Sequence, residues 1–338
     1  MVAGAPVSSL QVVDEVSGWL RIFSDGSVDR SWTGPPGALP LMSSVAPHSI
    51  PLNGVSLLDL PGEPNLRIYL PAEPAPLLPI LLHFHGGGFC ISHFSWLMYY
   101  HFYARIAGDL PAVVVSVELP LAPERRLPAA IYASYSALLR LRSLAGDGDD
   151  LLRSRADFSR VFLIGDSSGG NLVHHLAAMA GEAEEKKPGF WSPLRLAGGI
   201  AIHPGFVRSR RSQSEGRLEW ETPFLTLDMI DKFLELALPK GFGKDHPYTC
   251  PMGEAAPEME KLRLPPMMVV VAERDLIKDT EMEYCTAMEA ANKKVEVFYQ
   301  REVGHSYYLN KFAVDGDPAT ARKTTELVVA IKDFVDRH

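Results

Sequence analysis

Cysteine is nearly absent: Cys90, Cys250 and Cys285 are the only three in 338 residues. They are too few and too scattered for a disulfide framework, and unpaired thiols point to a reducing compartment. No apolar run approaches the roughly 18 residues that span a bilayer, and no charged n-region followed by an apolar h-region opens the chain. A cytoplasmic protein without a membrane span is expected. An excess of positive charge is lacking too. The net charge is −8, which argues against a nucleic-acid partner, whose phosphate backbone attracts basic surfaces. Zinc-ligand spacing is missing among the 11 histidines, no H-E-x-x-H occurs, and no metal is expected. No internal repeat is present.

What remains is an ordinary globular composition, 46% hydrophobic and 22% charged. A chain of this length can bury roughly three quarters of its unfolded surface in one core. Strand-like runs recur near 66–70, 79–84, 112–117, 160–164, 195–202, 266–272 and 294–299. Helical patterns fall between them, near 97–108, 127–142, 170–181, 226–238, 279–291 and 320–336. That alternation predicts an α/β fold, a mainly parallel sheet with helices on both faces. Ahead of it, Asp25-Gly26 joins two short runs as a hairpin signal. Residues 34–64, rich in Pro and Gly, are expected to form an ordered connector, and Asp147–Asp150 and Gly181–Lys187 solvated loops.

The chemistry is concentrated where strands end. Gly165-Asp166-Ser167-Ser168-Gly169 follows the apolar run Val161–Ile164 and precedes a helical pattern. A G-x-S-x-G junction of this kind makes a tight bend that pushes the serine hydroxyl into a cleft, so Ser167 is the candidate nucleophile. Upstream, His85-Gly86-Gly87-Gly88 closes another strand. Glycines leave backbone N–H groups unobstructed for a tetrahedral oxyanion, and the hole is assigned to the amides of Gly87, Gly88 and Ser168.

A serine needs a base, and the base needs an acid to fix its tautomer. On this architecture the order is Ser, Asp or Glu, then His. Asp275, just past the run Pro266–Ala272, is the candidate acid, with Asp279 and Glu273 as alternatives. His305, on the loop after Val295–Tyr299, is the candidate base. His83 and His85 are expected to brace the glycine run, His174 and His175 to lie on the helix after Ser167, and His203, before Pro204-Gly205, to serve a turn. His48, His93, His101, His246 and His338 carry no catalytic context, although Lys244-Asp245-His246 is expected to hydrogen-bond within a cap. The stretch from His203 to Pro265 is longer than a βαβ unit requires. Its Thr222–Thr226 segment and the amphipathic helix after it are expected to cover the site. Phe89, Trp96, Phe224 and Leu225 are assigned to the substrate pocket, and the cluster Arg208, Arg210 and Arg211 to solvated surface.

His85–Gly88, Leu121-Ala122-Pro123-Glu124, Gly165–Asn171, the Asp275 segment and Gly304-His305 together resemble the plant carboxylesterases of the hormone-sensitive-lipase-like α/β-hydrolase group. Within that group the likeness is to the tobacco hypersensitivity-related branch. It runs from about Val12 to the C-terminus, through Glu15–Arg21, Ile202–Arg208, Thr222–Pro239 and Thr249–Pro257. Leu119-Pro120 departs from it, since many relatives carry Tyr-Arg there. The resemblance implies a single α/β-hydrolase domain over residues 1–338, with cap elements at about 1–50 and 205–262. It also implies hydrolysis of small-molecule carboxylic esters through an acyl-enzyme, with neither metal nor organic cofactor. Gibberellin receptors resemble the chain as well, but carry an aliphatic residue in place of the triad histidine, whereas His305 is present here. The 2-hydroxyisoflavanone dehydratases share the scaffold and are a further alternative.

Overall fold

The computed structural model describes residues 10–73, 77–147 and 150–338. Three short antiparallel strands come first: β1 (Val12–Val16), β2 (Leu20–Phe23) and β3 (Val28–Asp29). The Asp25-Gly26 hairpin is formed, with the Phe23 amide donating to Ser27 O at 2.9 Å. The central sheet has nine strands: β4 (His48–Leu52), β5 (Val55–Leu60), β6 (Leu66–Pro71), β7 (Leu78–Phe84), β8 (Val113–Val117), β9 (Ala156–Asp166), β10 (Leu196–Ile202), β11 (Met267–Arg274) and β12 (Val295–Gly304). Their spatial order is β12-β11-β10-β9-β7-β8-β6-β5-β4. From β12 to β8 all neighbours are parallel; the last three strands pair antiparallel.

The inner parallel strands are near-continuous apolar runs because both faces are covered, whereas β12, at the edge, is exposed along much of its length. Odd and even positions serve different cores. Ile80 and Leu82 of β7, Val113 and Val115 of β8, and Val161 and Leu163 of β9 face one core. There they meet helices α2 (Ala129–Asp147), α4 (Ser168–Lys186) and α6 (Lys278–Ala290). Leu81, Val114, Phe162 and Ile164 face the other core, where α1 (Leu97–Asp109) and α8 (Pro318–Arg337) supply Phe102, Tyr103, Leu327, Ile331 and Phe334. Three further helices complete the chain: α3 (Asp150–Arg155), α5 (Leu227–Ala237) and α7 (Lys311–Gly316).

Three expectations need correction. Residues 34–64 are more than a connector: they include β4 and β5, which pair through the turn Asn53-Gly54, both residues at positive φ. An Asn-Gly pair reaches that backbone region readily, so it closes a two-residue hairpin. Gly181–Lys187 is not a loop, because α4 continues to Lys186 with an ion pair between Glu182 and Lys186 one turn apart. At Asp147–Asp150, Asp147 ends α2 and Asp150 opens α3, while 148 and 149 lie outside the described residues. The cap assignment for 1–50 likewise includes residues 1–9, which are outside them. Among the described residues no helix is long and apolar enough to cross a membrane.

Candidate active site

Ser167 sits between the last residue of β9 and the first of α4, at φ 53° and ψ −121°. Such a conformation is uncommon for a residue with a Cβ and persists only when its surroundings impose it. Here they do. The Ser167 amide donates to Ile202 O at 2.9 Å, and its carbonyl accepts from Gly205 N at 2.8 Å. The bend is tight enough that a Cβ on Gly169 would meet Phe84 O at 2.0 Å. Glycine is therefore the residue that lets α4 pack so close to β7.

Asp275 follows β11 and is fully buried; its Oδ2 accepts from His305 Nδ1 at 2.6 Å and its Oδ1 from the Ile277 amide at 3.1 Å. Burial pushes this carboxyl upward, but the charge and hydrogen bond of His305, the nearby His203 and the Ile277 amide outweigh it and hold Asp275 below its ordinary value. With Nδ1 donating to the carboxylate, His305 presents Nε2 as its acceptor. Of the alternatives, Asp279 accepts from Ser214 N at 2.8 Å and Glu273 from Glu302 N at 2.7 Å.

The glycine loop is tied to the serine turn. Asp166 Oδ2 accepts from Gly86 N at 3.1 Å, and Ser168 Oγ accepts from Phe89 N at 3.2 Å. Gly87 and Gly88 both take positive φ, 106° and 58°. Beneath them His83, fully buried, lies with Nε2 3.5 Å from Asp166 Oδ1 and Nδ1 2.7 Å from Ser116 Oγ. His85 braces the loop through Nδ1 to Gly86 O at 2.9 Å, and burial pushes its pKa down to about 3.

Ser167, His305, Gly87, Gly88 and Ser168 line one cavity of about 400 Å³. Phe89, Phe224 and Leu225 are on its wall as expected. Trp96 is not. It precedes α1 and stacks at 6.4 Å on Trp19, and it is Trp19, carried by the N-terminal sheet, that reaches the cavity. That contact joins segments distant in sequence, so no local pattern announces it. Phe233 also lines the wall from the buried face of α5.

The N-terminal segment and the insertion after β10, the two stretches expected to form a cap, touch each other at this wall. Phe224 lies 6.0 Å from Trp32 and 6.1 Å from Trp19, and Lys232 of α5 pairs with Asp14 of β1 at 3.0 Å. Arg30 anchors the N-terminal segment to the Leu121–Glu124 element, donating to Ala122 O at 2.9 Å and Glu124 Oε1 at 2.8 Å. It also donates to Cys90 O at 2.7 Å. Lys244-Asp245-His246 bonds within the insertion, Lys244 to Asp231 and Asp245 to Ser209 N at 3.0 Å. Arg208 pairs with Glu283 and Arg211 with Glu215, both at 2.7 Å, away from the cavity wall.

One further residue stands beside Asp275 and His305. His203, expected to serve a turn, places a ring nitrogen in a cluster where one nitrogen of His305 and one oxygen of Asp275 all lie within 4.8 Å of one another. The signal was available, since His203 follows β10 as Ser167, Asp275 and His305 follow or close their strands. Glu281 is a second surprise. Its carboxyl is fully buried without a protein partner, and burial together with the charge of Asp275 holds it well above the usual range.

Comparison with known proteins agrees with this architecture. Residues 81–309 match the model of a family with the α/β-hydrolase fold. Probable carboxylesterase 6 of Arabidopsis thaliana is 34% identical over 97% of this chain and 92% of its own length. Gibberellin receptor GID1C of Arabidopsis thaliana is 32% identical over 78% of each chain. A solved structure of the Pyrobaculum calidifontis esterase superposes with a TM-score of 0.66 at 24% identity, covering 84% of this chain and 85% of that one. At that identity the structural likeness is one of fold.

Proposed function

The chain belongs to the α/β-hydrolase fold family, on its plant carboxylesterase side, and we infer that it cleaves small-molecule carboxylic esters with Ser167 as nucleophile, His305 as base and Asp275 as the group that orients the base. The observation that carries this reading is the 2.6 Å hydrogen bond from His305 Nδ1 to Asp275 Oδ2 at a cavity that also holds Ser167. His305 Nε2 takes the Ser167 proton as Oγ attacks the ester carbonyl. The oxyanion is received by the amides of Gly87, Gly88 and Ser168, none of which donates to a protein acceptor among the described residues. The C–O bond to the alcohol breaks, the alcohol leaves with the proton from His305, and water repeats the sequence on the acyl-enzyme. No cofactor enters these steps.

Neither lysine nor arginine lines the cavity among the described residues. A carboxylate on the substrate would lose its hydration there without gaining a charged partner, which favours neutral esters with apolar bodies. The N-terminal segment and residues 205–262 form the cap that selects among them, within a single domain. Presence of His305 favours turnover over the binding role named for the receptor relative. The three cysteines, all free and buried, fit a cytoplasmic setting.

The test pairs the intact protein with Ser167→Ala on acetate and butyrate esters of one chromogenic alcohol, alongside labelling by an alkyl phosphonate. Ester turnover is expected to fall by about 10⁴-fold or more, with the label found on Ser167 by peptide mass. Equal hydrolysis by both proteins removes the reading.

A further inference from the structure

His203 lies outside the three triad positions, yet it occupies the strand end between two of them. In the order β12-β11-β10-β9, β10 separates the nucleophile strand from the acid strand. Ile202 pairs in register with Asp166 on one side and Val270 on the other. The residue after it is therefore level with Ser167 on one side and with Val271 on the other, on the strand that runs on to Asp275. Its own amide donates to Val270 O at 2.9 Å, while the neighbouring Ile202 carbonyl takes the Ser167 amide.

The backbone of His203 takes φ 44°, a left-handed conformation that a bulky side chain rarely adopts. Ser167 at 53° and Ser306 at 51° also take positive φ, although ψ of −121° at Ser167 makes its bend a different one from that of Ser306, at ψ 30°. The His203 ring is fully buried, with its centroid 5.7 Å from that of His305. Its Nδ1 accepts from the Ser306 amide at 2.9 Å. That bond settles the tautomer: a nitrogen that accepts from an N–H carries no hydrogen, so in the neutral ring the hydrogen is on Nε2. Burial and the neighbouring His305 oppose protonation more than Asp275 favours it, and the ring is held neutral, with a pKa of about 3.

Among the described residues Nε2–H has no hydrogen-bond acceptor, and it has no solvent access. The carboxylate whose charge acts on the ring is Asp275, in a cluster where one nitrogen of each imidazole and one oxygen of that carboxylate lie within 4.8 Å of one another. In such low-dielectric surroundings an oriented N–H dipole acts on a carboxylate far more strongly than in water.

We propose that His203 is a positioning residue of the triad, holding the loop that carries His305 through the Ser306 amide and steadying the Asp275 carboxylate with its neutral Nε2–H. The proposal rests on the ester-cleavage reading for its kinetic consequence, but not for its geometry. A residue that served only the turn would leave the pair of Asp275 and His305 unchanged when replaced by another residue that folds.

Two variants separate the roles. His203→Phe keeps a ring and removes both nitrogens. His203→Asn tolerates the left-handed backbone and offers Oδ1 to the Ser306 amide, but lacks Nε2–H. On a simple neutral ester, His203→Phe is expected to lower kcat by about 10²-fold with KM changed by less than about threefold, since small misplacement of a catalytic group has effects of that order. His203→Asn should recover roughly tenfold of this. The charged and titratable groups facing His203 and Asp275 are His305, Tyr307, Tyr308 and Glu281, the last of these near Lys278. Without the Nε2–H dipole, Asp275 attracts the proton on His305 more strongly, so the acid limb of kcat/KM should move to higher pH in both variants.

The low-field proton resonance of the bond between His305 and Asp275 provides a readout independent of turnover, and it should shift or broaden in both variants. An unchanged resonance, or His203→Asn with the kcat and acid limb of the intact protein, overturns the proposal even if His203→Phe fails to fold. Should the intact protein and Ser167→Ala show equal ester turnover, the cleavage reading falls alone, and the resonance still decides the role of His203.

Discussion

The ends of strands β9 to β12 and the cap above them are built by different means. At the strand ends, position is set by backbone hydrogen bonds and by side-chain residues forced into positive φ, as at Ser167, His203 and Ser306. Over the cap, position is set by side chains: the aromatic contacts among Trp19, Trp32, Trp96 and Phe224, and a half-exposed ion pair between Lys232 and Asp14. Backbone networks tolerate little adjustment, whereas packed rings can slide and repack. On the proposed function, chemistry in this molecule belongs to the rigid floor, and discrimination between substrates to the adjustable roof.

The sharpest way to break that contrast is to remove chemistry without touching packing. His305→Ala should lower ester turnover by about 10⁴-fold or more, and adding Ser167→Ala should cost little further, because the two act as a unit. Melting temperatures should change by only a few degrees. A double variant whose losses multiply would show that the two side chains work independently.

Next in size, Asp275→Asn should reduce kcat by about 10³- to 10⁴-fold, since an amide leaves His305 in the wrong tautomer. Asp279→Asn should reduce it by less than about tenfold, because Asp279 holds the Ser214 amide and not the base. Equal losses in the two would move the acid away from the end of β11.

Acid should act on the floor's stability more than on the roof's. His85 and His203 are neutral in the fold with values of about 3, and His174 is held well below its ordinary value, each mainly by burial. Unfolding restores them to about 6.5. Their folded values are depressed, so the unfolded chain binds more protons below pH 6.5. Stability is complete above that pH and declines as pH falls toward the folded values, by about 1.4 kcal/mol per pH unit for each histidine. Urea unfolding between pH 7 and 5 measures the slope. His174→Gln should flatten it by about one proton, and an unchanged slope would place the acid sensitivity elsewhere.

The smallest effect belongs to the roof. Phe224→Ala should alter the ratio of kcat/KM between butyrate and octanoate esters by about tenfold while the melting temperature moves little, since remote binding energy is spent on orienting the ester. A common fall for every ester, together with a large fall in melting temperature, would make Phe224 a packing residue and erase the distinction between floor and roof.

The same contrast explains what could be read from the chain. Strands β7 to β11 were legible because strands covered on both faces read as unbroken apolar runs, and the edge strand β12, exposed along much of its length, was legible only from its short run Val295–Tyr299; Ser167, Asp275 and His305 were picked out because each follows one of these strands. The pair β4 and β5 was overlooked although Asn53-Gly54 marks its hairpin. Pro51 and the exposed Ile50 make β4 look unlike a strand, which is how an edge strand protects itself. Trp19 was not legible as a pocket residue, nor was Trp96 as its support, because their positions depend on contacts between segments with no shared local pattern. His203 was read from its neighbours Pro204 and Gly205, which say nothing of the proximity of its ring to Asp275 and His305.

Because Trp19 and His305 wall one cavity, segments far apart in sequence must come together before that cavity exists. The enclosure is thus a late product of folding: β12 must join the sheet, and the first hairpin must settle against α5, before the wall is complete. A molecule with either element loose would still carry Ser167 on its bend, but open to water on that side.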